Sequence, residues 1–413
     1  MREIRTYGLM RGARNSPYST GFGVPTNSLL INLFHLLRTH LLTLLMNPSR
    51  TAEQPNSRTL SGWRCSVVSL SEQGYERFET QDTAVIDWLK DQLLQRITAS
   101  EDDSCGARCY HLKGNGGIAK ASEDLRLLLD SGDYPYVIRS DAKGYYAHIR
   151  HHKLIGLLND LGFNRQVCHV ITQLCQRMTV RRGIYSERTQ GIPLGCAASP
   201  ALAAIYLSPL DHAISKIPGV KYLRYMDDWV ILCPSRWKMR RAIKLMHQTL
   251  KALGQHVHPD KTFIGKAERG FDFLGIDFKP KQPLSVSKVS ARRLDTKIFE
   301  KLSQAAQLYE QGRLKSLEPV ELYFTHWLRW IKGAGVASQA ALATIRKSLL
   351  HLCNETANVM IKTFTISLLR WVDKQKNTIQ NELHNKKSGE SCIDLHRSVS
   401  RCFTQSGGCG DLL

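Results

Sequence analysis

The sequence predicts an α+β protein built from several subdomains. Long stretches carry apolar residues at helical spacing, among them Asp82–Ile97, Arg165–Met178 and most of the chain after Lys288. Between them lies "KYLRYMDDWVILCP" (Lys221–Pro234), an apolar strand–turn–strand interrupted by two adjacent aspartates. The length, 413 residues, is also more than one small core organises, and points to two or three subdomains.

Residues 1–27 are rich in Arg, Gly and Ser and read as loosely ordered. "SLLINLFHLLRTHLLTLLM" (Ser28–Met46) is apolar, but His35, Arg38, Thr39 and His40 break it into runs too short to span a bilayer. It predicts an amphipathic helix docked on the protein, with interfacial membrane binding as the lesser reading. Asn47–Gly62 is a polar linker, and Asp82–Ile97 is a helix with Val85, Ile86, Leu89, Leu93, Leu94 and Ile97 in phase. In "RCYHLKGNGGIAKASEDLRLLL" an extended piece reaches the turn Lys113–Gly117 and then a helix with Leu125, Leu127 and Leu128 on its apolar face. That turn would suit phosphate or a plain hairpin equally; it lacks the Gly-Lys-Ser/Thr of a Walker loop.

Val137 and Ile138 form a strand that ends at Asp141, and His151–Phe163 and Arg165–Met178 continue as helices. "GIPLGCAASPALAAIYLSPLDHAI" (Gly191–Ile214) is a Pro/Gly loop running into a helix of small residues. Arg236–Gly254 is a basic amphipathic helix, Val257–Phe278 holds turns and short strands, and the chain beyond Lys288 is helical and basic. The end, from Lys386, reads as irregular apart from a short helix.

Charge is the outlying property. Lys and Arg number 57 against 36 Asp and Glu, a net +21, which suits a polyanion better than a small metabolite. The eleven cysteines show no Cys-x-x-Cys and no disulfide rhythm. The groups Cys105/Cys109/His111 and Cys392/His396/Cys402/Cys409 fit no common zinc spacing, so reduced cytosolic thiols are expected.

The carboxylates carry the chemistry. Asp141 ends an apolar strand, while Asp227 and Asp228 sit in a turn that ordinary hairpins would fill with Asn-Gly or Asp-Gly. Taken singly, each reads as a cap or a turn residue. If the strands pair, Asp141 meets Asp227 at one end of a sheet, and the repulsion calls for a cation. Hard oxygen ligands suit Mg²⁺, and two such ions can clamp an in-line displacement at phosphorus.

Five motifs between Tyr136 and Phe278 then resemble, in order, those of bacterial reverse transcriptases of the group II intron type. They are "SDAKGYYAHIRHHKL", "GIPLGCAASPALAAIYL", "YMDD", "HPDKTFIG" and "FDFLGIDF". The resemblance implies a right-hand polymerase: fingers, a palm of antiparallel sheet with helices on one face, and a helical thumb. It implies catalytic Asp141, Asp227, Asp228 and Lys261, with two Mg²⁺ (or Mn²⁺) held by Asp141, Ala142, Asp227 and Asp228. Lys261 would serve the leaving pyrophosphate; a solvated surface lysine is its plain alternative.

By the same resemblance Tyr146 would exclude a ribose 2′-hydroxyl, unless it is only a core aromatic opening a helix. Gly195 would admit the nascent base pair, and Leu194 stands where many relatives carry Gln and cannot hydrogen-bond the incoming sugar. Lys113 and Lys120 are the candidates for triphosphate contacts. Ser199, Pro200, Phe273, Leu274, Gly275, Arg292 and Arg293 would touch primer and template. Tyr323, Trp327 and Trp330 recur at helical spacing and read as a buried face before a base-stacking one.

The expected divisions are a helical extension over 1–100, fingers 101–135, palm 136–283 with further fingers elements within 147–190, thumb 284–385 and a disordered tail 386–413. The expected activity is copying of an RNA template into cDNA from dNTPs. The segment after the box lacks the Val-Thr-Gly usual in retrons, and no His-Asn-His or paired Cys-x-x-Cys follows the thumb. The resemblance is therefore to free-standing bacterial enzymes, many of which copy a structured noncoding RNA in antiphage defence. An intron maturase that assists splicing and retrohoming is the alternative. Cytoplasmic location and no membrane partner are expected; oligomeric state is left open.

Overall fold

The computed structural model describes Leu60 and residues 62–72, 74–99 and 109–403, with backbone alone at 81, 98, 99 and 382–403. The chain clusters into Met1–Gln54 and Pro55–Leu413, and every described residue belongs to the second unit. Ser28–Met46 lies outside the described residues. No described helix is long and apolar enough to cross a membrane.

Strands β1 (Val68–Leu70) and β2 (Glu76–Arg77) precede helix α1 (Thr80–Ala99). The stretch 1–100 was expected to be helical, but these strands join a four-stranded sheet in the order β2-β1-β4-β5. Short β-branched pieces such as Val67-Val68 leave too little pattern to announce a strand. Helix α2 (Gly117–Asp130) leads into β3 (Tyr136–Asp141), then α3 (His151–Asp160), α4 (Arg165–Cys175), β4 (Met178–Arg181) and β5 (Ile184–Glu187). β1 pairs in parallel with β4, so residues more than a hundred positions apart build one ladder. Inside that sheet Arg177 and Glu76 form a buried bidentate ion pair.

Helix α5 (Ser199–Ser215) is apolar on nearly every side because it is enclosed on nearly every side. It precedes β6 (Lys221–Tyr225), β7 (Asp228–Cys233) and α6 (Arg236–Leu253). With β8 (Phe263–Lys266) these strands form an antiparallel sheet in the order β6-β7-β3-β8. Period-two alternation gives it two faces. Arg139, Asp141, Asp228, Val230 and Leu232 share one; Ile138, Ser140, Arg224, Trp229 and Ile231 share the other. The second face is roofed by α5 and α6, through the small residues of α5 and Ala242, Met246 and Leu250 of α6. Leu125 and Leu129 of α2 pack on the first face with Val137, Leu223 and Val230, so α2 lies against this sheet.

The hairpin β9 (Phe271–Phe273) and β10 (Ile276–Phe278) pairs with β11 (Ser285–Val286). It joins the same core to helices α7 (Lys288–Glu310), α8 (Glu318–Gly333), α9 (Ser338–Glu355) and α10 (Val359–Phe403). Val320, Phe324, Trp327 and Ile331 are buried there; of the expected face Tyr323, Trp327 and Trp330, only Trp327 is buried, and the other two are half-buried. α10 continues past Lys386 to Phe403, where composition points to an irregular tail; residues 404–413 lie outside the described set.

The β9–β10 turn shows why Gly275 must be glycine. Leu274 and Gly275 both have positive φ, 51° and 81°, which closes a two-residue hairpin with the right twist. A Cβ on Gly275 would lie 2.6 Å from Ser290 Oγ and 2.9 Å from Trp330. Gly275→Ala should therefore cost about 2 kcal/mol or more, from the left-handed backbone and the clash together. Gly333→Ala, at a helical site with open space, should be neutral or stabilising by up to about 1 kcal/mol. Urea titrations of the two variants check the contrast.

Candidate active site

The register of the central sheet places Asp141 directly opposite Asp228, at the ends of β3 and β7. Met226 and Asp227 form the turn between β6 and β7. The Ala142 N–H donates to the Asp227 carbonyl at 3.0 Å, which ties the end of β3 to the hairpin tip. On its other side β3 is held by the segment 256–258: Lys143 N–H donates to His256 O at 2.8 Å and His258 N–H to Asp141 O at 2.9 Å. The three carboxylates therefore converge because three chain segments are stitched together around them, without contacts between the carboxylates themselves.

Met226 carries φ +57°, a conformation that non-glycine residues seldom adopt. Two hydrogen bonds hold it there, and a third fixes the His111 ring. Its N–H donates to His111 Nδ1 at 2.9 Å. Its carbonyl accepts from Arg224 Nη1 at 3.0 Å. His111 Nε2 meets the Pro200 carbonyl at 3.3 Å; since Nδ1 accepts, the proton sits on Nε2. Burial, then the Arg224 charge, push the His111 pKa down to about 3, so the ring stays neutral. Arg224 is fully buried and binds Asp211 of α5 through both Nε (2.8 Å) and Nη2, with Nη2 also 3.2 Å from Ala204 O.

Two protein cations face the carboxylates. Lys261 Nζ donates to Asp141 Oδ2 at 2.5 Å. Arg139 Nη2 lies 3.3 Å from Asp228 Oδ2 and 3.5 Å from Asp272 Oδ2, and its Nη1 donates to the Lys261 carbonyl at 2.5 Å. Charge is still uncompensated. Burial, outweighing its own backbone hydrogen bond, pushes Asp227 up to about 6, with Asp141 adding to the rise. Burial also drives Asp228 up to about 8 against the pull of Arg139.

Asp141 Oδ1 and Asp228 Oδ1 are buried and accept no hydrogen bond. Two orphaned carboxylate oxygens beside a third carboxylate match the donor chemistry of Mg²⁺, which takes a few hard oxygens and leaves the rest of its sphere to water or phosphate. Among the described residues no group of three or more His, Cys, Asp or Glu side chains is arranged to hold a metal ion by itself. Lys261 and Arg139 take the remaining oxygens of Asp141 and Asp228, so the fit is to a cation completed by a substrate.

The other expected residues fall into distinct places. Tyr146 is buried in the helical turn Tyr145–His148, its ring edge-on to Tyr145 at 5.9 Å, and its carbonyl accepts from Ile192 N–H at 2.9 Å. Tyr145 donates to Ala203 O at 2.5 Å and is an internal strut. The close approach in the loop 191–196 falls at Gly191, where a Cβ would lie 3.0 Å from Tyr146 O; Gly195 needs its φ of +89° but has ordinary room. The Leu194 carbonyl accepts from Glu76 N–H, so β2 braces this loop.

Ser199 is buried and donates to Pro193 O at 2.6 Å, which commits its hydroxyl inward. Lys113 is exposed, while Lys120 pairs along its own helix with Asp124 (2.9 Å) and Glu123 (3.5 Å). Phe273 is buried in the core, Arg292 is exposed, and burial lowers the pKa of half-buried Arg293, with Asp272 opposing.

Sequence reasoning missed Arg139, His111, Arg224 and Asp211. A signal existed for Arg139: it lies two residues before Asp141 in a strand, and hence on the same face. Arg224 and Asp211 are charged residues inside otherwise apolar elements, which their full burial explains as a pair. Nothing in the local pattern marks His111.

Because its folded pKa is raised, Asp228 weakens the fold as it ionises. The penalty starts above the ordinary carboxylate value of 3.8 and grows until the pH passes about 8. Asp228→Asn keeps an acceptor for Arg139 and removes the charge. With chelator present its melting temperature should exceed that of the parent at pH 8, by an equivalent of at least about 1 kcal/mol, and the gap should close towards pH 4. Mg²⁺ at pH 8 should narrow it by stabilising the parent alone; scanning calorimetry with and without the ion measures both.

Comparison with known proteins adds the following. A 132-residue stretch is 25% identical to the retron Ec86 reverse transcriptase of Escherichia coli, covering 31% of this chain and 38% of that protein. The chain thus aligns to well under half of its curated relative, from the class that the missing Val-Thr-Gly counted against. Among solved structures, telomerase from Candida albicans, in complex with a TWJ fragment of telomeric RNA, overlaps 77% of this chain and 65% of its own at 11% identity and TM-score 0.43. A truncated apo telomerase from Candida tropicalis overlaps 49% and 45% at 16% identity and TM-score 0.41. Residues 89–278, which run from within α1 to the end of β10 and contain all three carboxylates, match the family described as Reverse transcriptase (RNA-dependent DNA polymerase).

Proposed function

We propose that this chain is an RNA-directed DNA polymerase that extends a primer with dNTPs along an RNA template. The observation that carries the reading is the cross-strand register of Asp141 and Asp228, with Asp227 in the adjoining turn and two carboxylate oxygens left open. The match over residues 89–278 and the net charge of +21 support it. Mg²⁺ held by Asp141, Asp227 and Asp228, with the Ala142 backbone beside them, would supply the positive charge that phosphoryl transfer needs.

The remaining work falls to the chain's own groups. Lys261 is held by Arg139 at its carbonyl and by Asp141 at its ammonium, which places a proton donor beside the reacting phosphates. Arg139 keeps Asp228 and Asp272 from repelling each other. Tyr146, wedged between Tyr145 and the Ile192 backbone, presents a rigid ring to the sugar and selects dNTPs. In this reading the central sheet with α5 and α6 is the palm and α7–α10 form the thumb. β1, β2, β4 and β5 belong to the fingers. A dedicated structured RNA, copied in antiphage defence, is the finer reading of this activity.

Asp227→Ala/Asp228→Ala should reduce Mg²⁺-dependent dNTP incorporation on an oligo(dT)-primed poly(rA) template by at least about 10³-fold. RNA binding should persist. Incorporation at the parent rate would overturn the assignment. Tyr146→Ala should raise ribonucleotide use at least about tenfold, and Lys261→Ala should lower kcat by about 10²-fold with KM little changed. Single-nucleotide kinetics with dTTP and UTP separate these effects.

A further inference from the structure

Helix α6 covers the sheet face opposite the carboxylates, and its own outer side is strongly cationic. Trp237, Arg240, Arg241, Lys244, His247 and Lys251 are all exposed and recur at intervals of three or four residues, so they form one stripe. The helix has no acidic residue. No carboxylate among the described residues forms an ion pair with any of its cations, whereas Lys90, Lys120, Arg126 and Lys297 are all paired on their helices. The stripe is about 21 Å long at 1.5 Å per residue. Arg150 extends it past the C-terminal end, where its guanidinium packs against Gly254, as does Lys153, which donates to the Ala252 carbonyl.

Trp237 stands at the other end, 76% exposed. Arg240 lies over its ring at 5.3 Å, which holds the indole in place and leaves its other face open. An open indole face at the end of a cationic stripe is a platform on which an unpaired base can stack.

We infer that the outer face of α6 is a second RNA-binding surface, separate from the carboxylate cleft. It takes the phosphate backbone of an RNA stem along the cationic stripe and stacks an adjoining unpaired base on Trp237. Regularly spaced cations along a straight line complement a phosphodiester strand, and an open indole face takes any base. A membrane fits less well, because the apolar side of α6 (Ala242, Met246, Leu250) is spent on the sheet and only Trp237 remains to insert. Since α6 and the carboxylates lie on opposite faces of one sheet, RNA bound here leaves the cleft free, so a structured RNA can stay anchored while another part of it occupies the cleft.

The test uses the full chain with its cleft saturated by poly(rA)·oligo(dT), and a fluorescein-labelled RNA hairpin of about 20 base pairs with a three-nucleotide overhang. Anisotropy between 50 and 200 mM KCl gives affinity and salt slope. Arg240→Glu/Arg241→Glu/Lys244→Glu should bind at least tenfold more weakly and lose about 2 to 3 from the slope of log Kd against log salt, at roughly 0.9 per phosphate contact. Trp237→Ala should lose about fivefold or more on the overhang hairpin and little on a blunt one.

Melting temperatures within about 2 °C of the parent establish that the charge-reversed chain is folded. If it is not, Arg241→Ala/Lys244→Ala replaces it, with about threefold weaker binding expected. Parent-like affinity and slope in a folded variant would overturn the inference. So would displacement of the hairpin by the cleft substrate, or loss confined to phosphatidylserine vesicles or polyglutamate. The readout is binding, so it stands or falls independently of whether the carboxylates polymerise.

Discussion

The site depends on one residue held in an unfavourable conformation. Met226 turns the β6–β7 hairpin with a left-handed backbone, and without it Asp227 and Asp228 would not face Asp141. A strain of about 1–2 kcal/mol persists only where neighbours overdetermine it. Here they do so from α5 and from the edge of the sheet. Arg224 reaches down to Asp211 and Ala204 on α5, while His111 arrives from a segment that pairs beside β6 and also touches Pro200. Breaking a buried pair such as Arg224–Asp211 by removing one partner typically costs about 3–5 kcal/mol, well above the strain it restrains. The neutrality of His111 matters too, because Nδ1 accepts only while it carries no proton.

The carboxylates and their cations form an arrangement that is deliberately incomplete. Lys261 and Arg139 cover two of the oxygens, and the other buried oxygens of Asp141 and Asp228 have no donor. Burial keeps Asp227 and Asp228 reluctant to ionise. An incoming cation therefore displaces protons and relieves repulsion together, which couples its binding to pH and to stability. Arg139 serves as the junction: it joins the Lys261 backbone, Asp228 and, through Asp272, the β9–β10 hairpin that docks on the helical region.

Much of this was legible in the sequence where local pattern and chemistry coincide. Two aspartates in an apolar hairpin announce themselves, as do the helical spacing of α1 and α4 and the Phe-rich β9–β10 turn. What stayed hidden are relations between distant residues. Arg177 looks like a surface arginine until Glu76 meets it, and His111 looks like part of a loop until Met226 donates to it. Very short strands such as β1 and β2 carry no periodicity of their own; their partner in β4 defines them. Lys120 shows a relation within one helix: a lysine after a glycine-rich turn suggests phosphate, and Asp124 one turn further on pairs with it.

The parallel pairing of β1 with β4 changes what counts as a module here. The family match begins at residue 89, inside α1, yet β1 and β2 lie upstream of it. Glu76, from that upstream part, neutralises a buried arginine and its backbone N–H braces the loop carrying Leu194 and Gly195. Inheritance and cohesion therefore draw different borders through this chain. A recombination event or a gene fusion joined at the family border would carry every recognisable motif and still leave Arg177 buried without its counter-charge.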